Sequence, residues 1–261
     1  ISPQVWAWRR RRVHKIARLV DRMLVFFPFE VDFYRDHGVR VVHVGHPLVD
    51  EVPRLEQVWS RGPVEGGPYH VALLPGSRPS EVEALLPGML ETVRRMSGEL
   101  PLYVRLVRAP TISQALLERH LEAHHLPLEI VSARRFEVIA DSHLALCASG
   151  TATLETGLLG TPMIVLYRLA GWTYVLARLL VRLPHFSLVN LVLGRGSVPE
   201  LVQRGTHPEA VAARAAALLR DPEAIATMRR GLAQLRERLG AGGASGRAAD
   251  EVVAAMEETE G

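Results

Sequence analysis

The 261-residue sequence predicts an α/β fold built on parallel sheets, and three observations carry that expectation. Short apolar runs bounded by Gly, Pro or polar residues alternate with longer amphipathic runs. The chain is 48% hydrophobic and 23% charged, which excludes a disordered tail, and its length suffices for a sizeable core. Strand, helix, strand in repeated succession is the pattern of a doubly wound parallel sheet.

Taken in order, the expected strands are residues 23–26, 41–44, 70–74, 102–107, 128–131, 143–147 and 163–166, each short, apolar and flanked by turn residues. Between them, residues 28–37, 81–96, 112–124, 134–140 and 153–159 show helical spacing. The opening Ser2-Pro3-Gln4-Val5-Trp6 reads as the end of a buried strand with no signal peptide before it, and the chain is expected to begin inside a longer protein. Residues 52–68, dense in Pro and Gly, are the best domain boundary. From Glu200 onward the pattern reads as helical only, in runs 209–219, 222–239 and 248–256, the last set apart by a Gly-rich hinge at 240–246.

Charge narrows the function classes. There are 31 basic and 28 acidic side chains, so the net +3 argues against nucleic acid as a partner. Residues 6–15 mix Trp6 and Trp8 with an arginine run ending at Lys15, which suits a nucleic acid or an anionic headgroup and equally a solvated helix start. One cysteine, Cys147, excludes an internal disulfide. The eleven histidines show no metal-ligand spacing, and no metal is expected. Residues 172–193 are the nearest approach to a membrane span, but Arg178, Arg182, Pro184 and His185 interrupt them.

Two motifs carry chemistry. Leu73-Leu74-Pro75-Gly76-Ser77-Arg78 ends a strand and opens a helix, so free backbone N–H groups and the positive helix end face whatever lies above the sheet. Gly76 admits a close approach, Ser77 adds a hydroxyl and Arg78 a forked cation suited to phosphate. An ordinary capped turn with Arg78 on the surface explains the same residues. Ala148-Ser149-Gly150-Thr151 repeats the arrangement, and the two turns together suit a diphosphate. Glu155 reads as compensation for the helix dipole or as an acceptor for ribose hydroxyls. The arginines and broad apolar face of 172–193 suit an interfacial helix, acyl-chain contact or core packing. Within this stretch Asn190 is the odd polar residue and needs partners or a ligand.

Seven blocks in one order resemble lipid-A-disaccharide synthase: Ser2-Pro3-Gln4-Val5-Trp6-Ala7-Trp8-Arg9, Phe27-Pro28-Phe29-Glu30, Val44-Gly45-His46-Pro47-Leu48, the 73–78 motif with Glu81-Val82, 148–155, Pro162 to Arg168, and Ser187-Leu188-Val189-Asn190-Leu191. The resemblance implies a two-lobed GT-B fold with Rossmann-like lobes, residues 1–50 ending the first lobe, 51–239 forming the UDP-sugar lobe and 240–261 packing back on the first lobe or on a partner subunit. It implies an inverting transfer from UDP-2,3-diacylglucosamine to 2,3-diacylglucosamine 1-phosphate, releasing UDP at the inner face of the cytoplasmic membrane without a cofactor. The enzyme would be peripheral there, and a homodimer exchanging the tail helix is compatible with the hinge.

Carried over by position, Gly76, Ser77, Arg78, Ser149, Gly150, Thr151 and Glu155 would bind UDP, and Arg78 and Asn190 would be catalytic. Arg168 would meet a phosphate or the acceptor, and Trp172, Val175 and Leu179 acyl chains or membrane. The family's glycine-rich opening loop and its expected general base lie before the position matching Ile1, so the resemblance implies little turnover from these residues alone. Arg105 stands where the family strand usually has proline, and an altered rim is expected there; Val189 likewise replaces a frequent proline. Another UDP-sugar enzyme, such as an undecaprenyl-linked GlcNAc transferase or a UDP-GlcNAc 2-epimerase, shares the nucleotide pockets, and a non-catalytic UDP-binding fragment is the competing class.

Overall fold

A computed structural model describes residues 2–3, 5–8, 10–54, 67–124, 126, 128–168 and 185–260. The chain starts with helices α1 (Val5–Trp8) and α2 (Val13–Leu19), then runs through β1 (Met23–Val25), α3 (Pro28–Arg35), β2 (Val41–His43) and α4 (Leu48–Glu51). Strands β1 and β2 pair in parallel, Met23 opposite Val41 and Val25 opposite His43. Their core is formed by Val5, Trp6, Val13, Met23, Val25, Phe33, Tyr34 and Val39. The expected strand end at the start of the chain is therefore a helix. Trp6 points into this core and donates its indole N–H to the buried Glu30 at 3.0 Å, which removes it from any stacking surface.

The larger sheet holds β3 (Tyr69–Leu74), β4 (Leu102–Val107), β5 (Glu129–Val131), β6 (Leu144–Ala148), β7 (Met163–Tyr167) and β8 (Glu200–Val202) in the parallel order β5-β4-β3-β6-β7-β8. Helices α5 (Pro79–Met96), α6 (Gln114–Glu122), α7 (Arg135–Ala140) and α8 (Thr151–Leu158) connect its strands. Residues Val71 to Leu74 and Leu144 to Ala148 are buried without alternation, as expected of central strands covered on both faces. From β3 the chain moves outward through α5 to β4; from its neighbour β6 it moves the opposite way through α8 to β7. Right-handed crossovers in opposite directions place α5 and α8 on opposite faces. In agreement, α5 packs on the helix Pro208–Leu219, while α8 packs on Leu188–Leu193, Pro222–Ala233 and Leu235–Arg238.

The reading of everything beyond Glu200 as helical is corrected by β8. Its three residues are half-buried at the sheet edge, pairing Glu200 with Val165 and Val202 with Tyr167, and so short a strand leaves no periodic signal. The expected helix 222–239 is broken at Gln234, and the last helix, Ala244–Glu260, begins inside the Gly-rich hinge. Most of the expected boundary 52–68, and Trp172, Val175 and Leu179, lie outside the described residues.

The tail crosses back to the first sheet and is held by polar stitches. Arg236 donates to the carbonyls of Val49 (2.8 Å) and Val52 (3.1 Å), His46 N–H to Leu239 O (3.0 Å), and Arg247 to Val44 O (3.0 Å). The Gly243 N–H donates to the Asp50 carboxylate at 2.8 Å. Arg22, with its side chain 8% exposed, pairs with Glu251 and Glu258. Gly45 and Gly240 both have positive φ where the two crossings touch, and a Cβ on Gly240 would stand 3.2 Å from the Gly45 Cα.

Candidate diphosphate site

Strands β3 and β6 are neighbours with Leu74 opposite Cys147, so the two sequence motifs emerge side by side, about 4.8 Å apart at the strand ends. This is the point where the winding of the sheet reverses, and the crevice outside the strand ends at such a point is where open α/β sheets hold ligands. Gly76, Ser77 and Arg78 lie on one side of it, and Ser149, Gly150 and Thr151 on the other.

In the first turn Gly76 adopts φ +124° and Arg78 is the extended residue before α5, with Pro79 at the first helical position. The Ser77 N–H donates to Glu81 Oε2 at 3.0 Å, and Arg78 Nη1 donates to Glu81 Oε1 at 2.9 Å. Thr111 Oγ1 donates to Ser77 O at 2.6 Å, tying the turn to the loop after β4. In the second turn Gly150 has φ +146° and no side chain caps α8. The Gly150 carbonyl accepts from Thr153 N (3.1 Å) and Oγ1 (2.7 Å), while Ser149 Oγ donates to Phe186 O at 3.2 Å.

Glu155 lies on α8, and burial pushes its carboxyl above the usual range, with Arg135 pulling the other way from 3.4 Å. Arg135 starts α7, after the exit loop of β5, and stacks over Phe136 at 4.4 Å. In the same loop Ser132 Oγ accepts from Arg108 Nε at 2.8 Å. The rim is therefore continuous from β6 to β5, and Glu81, Arg108, Thr111, Ser132 and Arg135 belong to it although the sequence reading gave them no role in the site. Treating the carboxyl ends of all the parallel strands as one surface would have found Arg108, Thr111, Ser132 and Arg135.

Asn190 is 1% exposed, and its amide is fully engaged. Its Nδ2 donates to Val198 O (2.9 Å) and Glu200 Oε1 (2.8 Å), and its Oδ1 accepts from Ser197 N (2.8 Å) and Val198 N (3.0 Å). Glu200 also accepts from Ser187 N (2.9 Å) and Oγ (2.6 Å) and from Phe186 N (2.8 Å). Asn190 thus holds the segment that supports Ser149 through Phe186, and every polar atom of its side chain is committed within the protein. Arg168 follows the last residue of β7, exposed, with Nη1 3.5 Å from the α5 carbonyl Ala84 O.

Arg105 does not alter the rim. It sits midway along β4 opposite Ala72, 7% exposed, and pairs with Asp141 at 2.9 Å beyond the end of α7, away from the turns. A cavity of about 780 Å³ runs from this ion pair to Ser132 and Arg134 along the β5 edge. Cys147 is fully buried and its thiol is pushed up to about 12 by that burial, which makes it inert. Among the described residues no cluster of His, Cys, Asp or Glu can hold a metal ion, and no helix is long and apolar enough to cross a membrane.

Known proteins share both sequence and fold. The lipid-A-disaccharide synthetase family matches residues 1–251. The chain is 44% identical over 260 residues to a lipid-A-disaccharide synthase of Anaeromyxobacter dehalogenans, covering 98% of this chain and 68% of that one. It is 42% identical over 265 residues to the synthase of Nitrosococcus oceani, again covering 68% of that protein. Among solved structures, a UDP-GlcNAc 2-epimerase from Neisseria meningitidis bound to UDP-GlcNAc superposes with a TM-score of 0.56 at 10% identity, over 91% of this chain and 62% of that one. The calicheamicin glycosyltransferase CalG4 superposes with 0.54 at 19% identity, over 92% and 54%. These likenesses establish the GT-B type of α/β fold. The sequence match establishes more, and the chain belongs to the lipid-A-disaccharide synthetase family of glycosyltransferases.

Proposed function

We propose that the chain binds UDP-2,3-diacylglucosamine with its diphosphate across the two turns, and that in its full enzyme the glucosamine unit passes to 2,3-diacylglucosamine 1-phosphate with release of UDP. The observation that carries this is the pairing of Leu74 with Cys147, which sets two helix N-termini beside each other where the sheet winding reverses. When the glycosidic C–O bond to the diphosphate breaks, negative charge grows on the departing β-phosphate. The start of α8 around Gly150 and Thr151 carries no side-chain cap, so its N–H groups stabilise that charge with little reorganisation, while the Ser77 N–H and the Arg78 guanidinium add to it once Glu81 yields them. Glu155, its carboxyl raised by burial and steadied by Arg135, accepts from the ribose hydroxyls.

Asn190 enters this reading as a positioning residue behind Ser149, and Arg168 as a cation for the acceptor phosphate. Residues 1–50 serve the acceptor lobe, 51–239 the donor lobe and 240–261 the link between them. The work takes place peripherally at the inner face of the cytoplasmic membrane. The same reading expects little turnover from the 261 residues alone, which an assay for the disaccharide product checks.

The decisive experiment is calorimetric titration of the chain with UDP, repeated on Arg78→Ala. Weakening of at least about tenfold, roughly 1.4 kcal/mol, supports the site. Equal affinities in the two proteins would move the diphosphate elsewhere.

A further inference from the structure

Glu81 is the unusual member of the first turn. It sits in the first turn of α5, yet its carboxylate folds back over the loop and takes the Ser77 N–H at 3.0 Å and Arg78 Nη1 at 2.9 Å. These are charge-assisted bonds to two donors that the proposed function gives to a phosphate. The same carboxylate also fills the approach to Gly76. A Cβ built on Gly76 would stand 2.6 Å from Glu81 Oε2 and 2.7 Å from Glu81 Cβ. The open side of Gly76, by which a phosphate oxygen would come close to the backbone, is thus already covered by a negatively charged group.

We infer that Glu81 is an exchangeable internal anion of the diphosphate site: its carboxylate and the incoming diphosphate compete for the Ser77 N–H, the Arg78 guanidinium and the space over Gly76. This rests on the reading of the Gly76 turn as the diphosphate site. Binding then requires Glu81 to release both donors. Because the displaced carboxylate stays on the first turn of α5, it remains near the bound phosphates, and like-charge repulsion speeds departure of UDP once transfer is complete. Arg78 is suited to such an exchange because its side chain is 77% exposed and can follow either anion. Tyr167, at the end of β7, lies close enough that its hydroxyl is pushed upward by burial first and by the charge of Glu81 second. Its O–H is a donor within the electrostatic reach of the carboxylate.

An acidic residue near a helix N-terminus that bonds a preceding N–H is also a common capping device, and glutamine performs that role as well as glutamate. The two roles separate on charge. UDP and uridine are titrated into the wild-type chain and into Glu81→Gln, Glu81→Ala and Arg78→Ala, with the thermal midpoint of each protein measured alongside, and UDP dissociation is followed by stopped flow. The exchange role gives UDP binding at least about fivefold tighter in Glu81→Gln, about 1 kcal/mol, with slower dissociation and no change for uridine, which carries no phosphate. Glu81→Ala shows the same direction, which keeps the test open should one variant fold poorly.

Unchanged UDP affinity in Glu81→Gln, with wild-type binding still dependent on Arg78, overturns the exchange and leaves the site standing. Weaker binding in Glu81→Gln also overturns it, because Glu81 would then be attracting the ligand. If a folded wild-type chain shows no Arg78-dependent UDP binding, the site reading itself fails and the exchange falls with it.

Discussion

At the end of β3 the chain turns through Gly76 with φ +124°, and at the end of β6, one strand over, it turns through Gly150 with φ +146°. Both turns lead into helices, but their donors meet different surroundings. The first is covered by its own Glu81, whereas a Cβ on Gly150 would meet nothing within 4 Å among the described residues. The first turn therefore has internal competition for its donors, while the second owes its shape to packing from behind, through Ser149, Phe186 and the Glu200–Asn190 knot. Two helix ends with the same local geometry differ in how readily they accept an anion, and that difference is set by side chains several residues along the chain.

Substitutions test the contrast, beginning with the most disruptive. Gly76→Ala combines a strained φ with a collision against Glu81, and is expected to cost about 3 kcal/mol or more of stability in denaturant unfolding and to abolish UDP binding. Asn190→Ala orphans the buried Val198 N–H and the half-buried Ser197 N–H, with a loss of about 2–3 kcal/mol by the same measurement and weaker UDP binding. Gly150→Ala meets no atom among the described residues, so backbone strain acts by itself and the cost falls to about 1–2 kcal/mol. Equal losses for the two glycine variants would break the comparison.

The smallest effect lies away from both turns. His46 titrates at about 4 rather than 6.5 because of burial and then the neighbouring His43, and its neutral Nδ1 accepts the Leu48 N–H at 3.1 Å. The folded state thus binds the proton less tightly than the unfolded one. The contribution is whole above pH 6.5 and is lost as pH falls through about 4. The drop in thermal midpoint between pH 7 and pH 4 is expected to shrink by about 4 °C in His46→Gln, the full linkage value being about halved by partial exposure of the ring.

The sequence marked the first turn as a candidate anion site but did not show its donors to be covered by Glu81. The strand ends at Leu74 and Ala148 were readable within a residue, because buried parallel strands are short apolar runs ending at turn residues. That both turns face one rim was expected; that β3 and β6 are direct neighbours was not readable, since their pairing spans two intervening strands in the chain. Asn190 was marked as a buried amide in need of partners, but those partners come from a loop and an edge strand without periodic pattern. Arg105 was expected to alter the rim because it stands where the family strand usually has proline; its place midway along β4 and the pull of Asp141 put it elsewhere.

The backbone passes between the two sheets twice, once near Gly45 and again near Gly240, and the passages lie against each other with arginine side chains bonded to carbonyls on both. Two passages of chain lashed together at several points are held by more than the peptide links themselves. The placing of the first sheet against the two turns thereby rests on bonds between residues 187 to 203 positions apart in the chain.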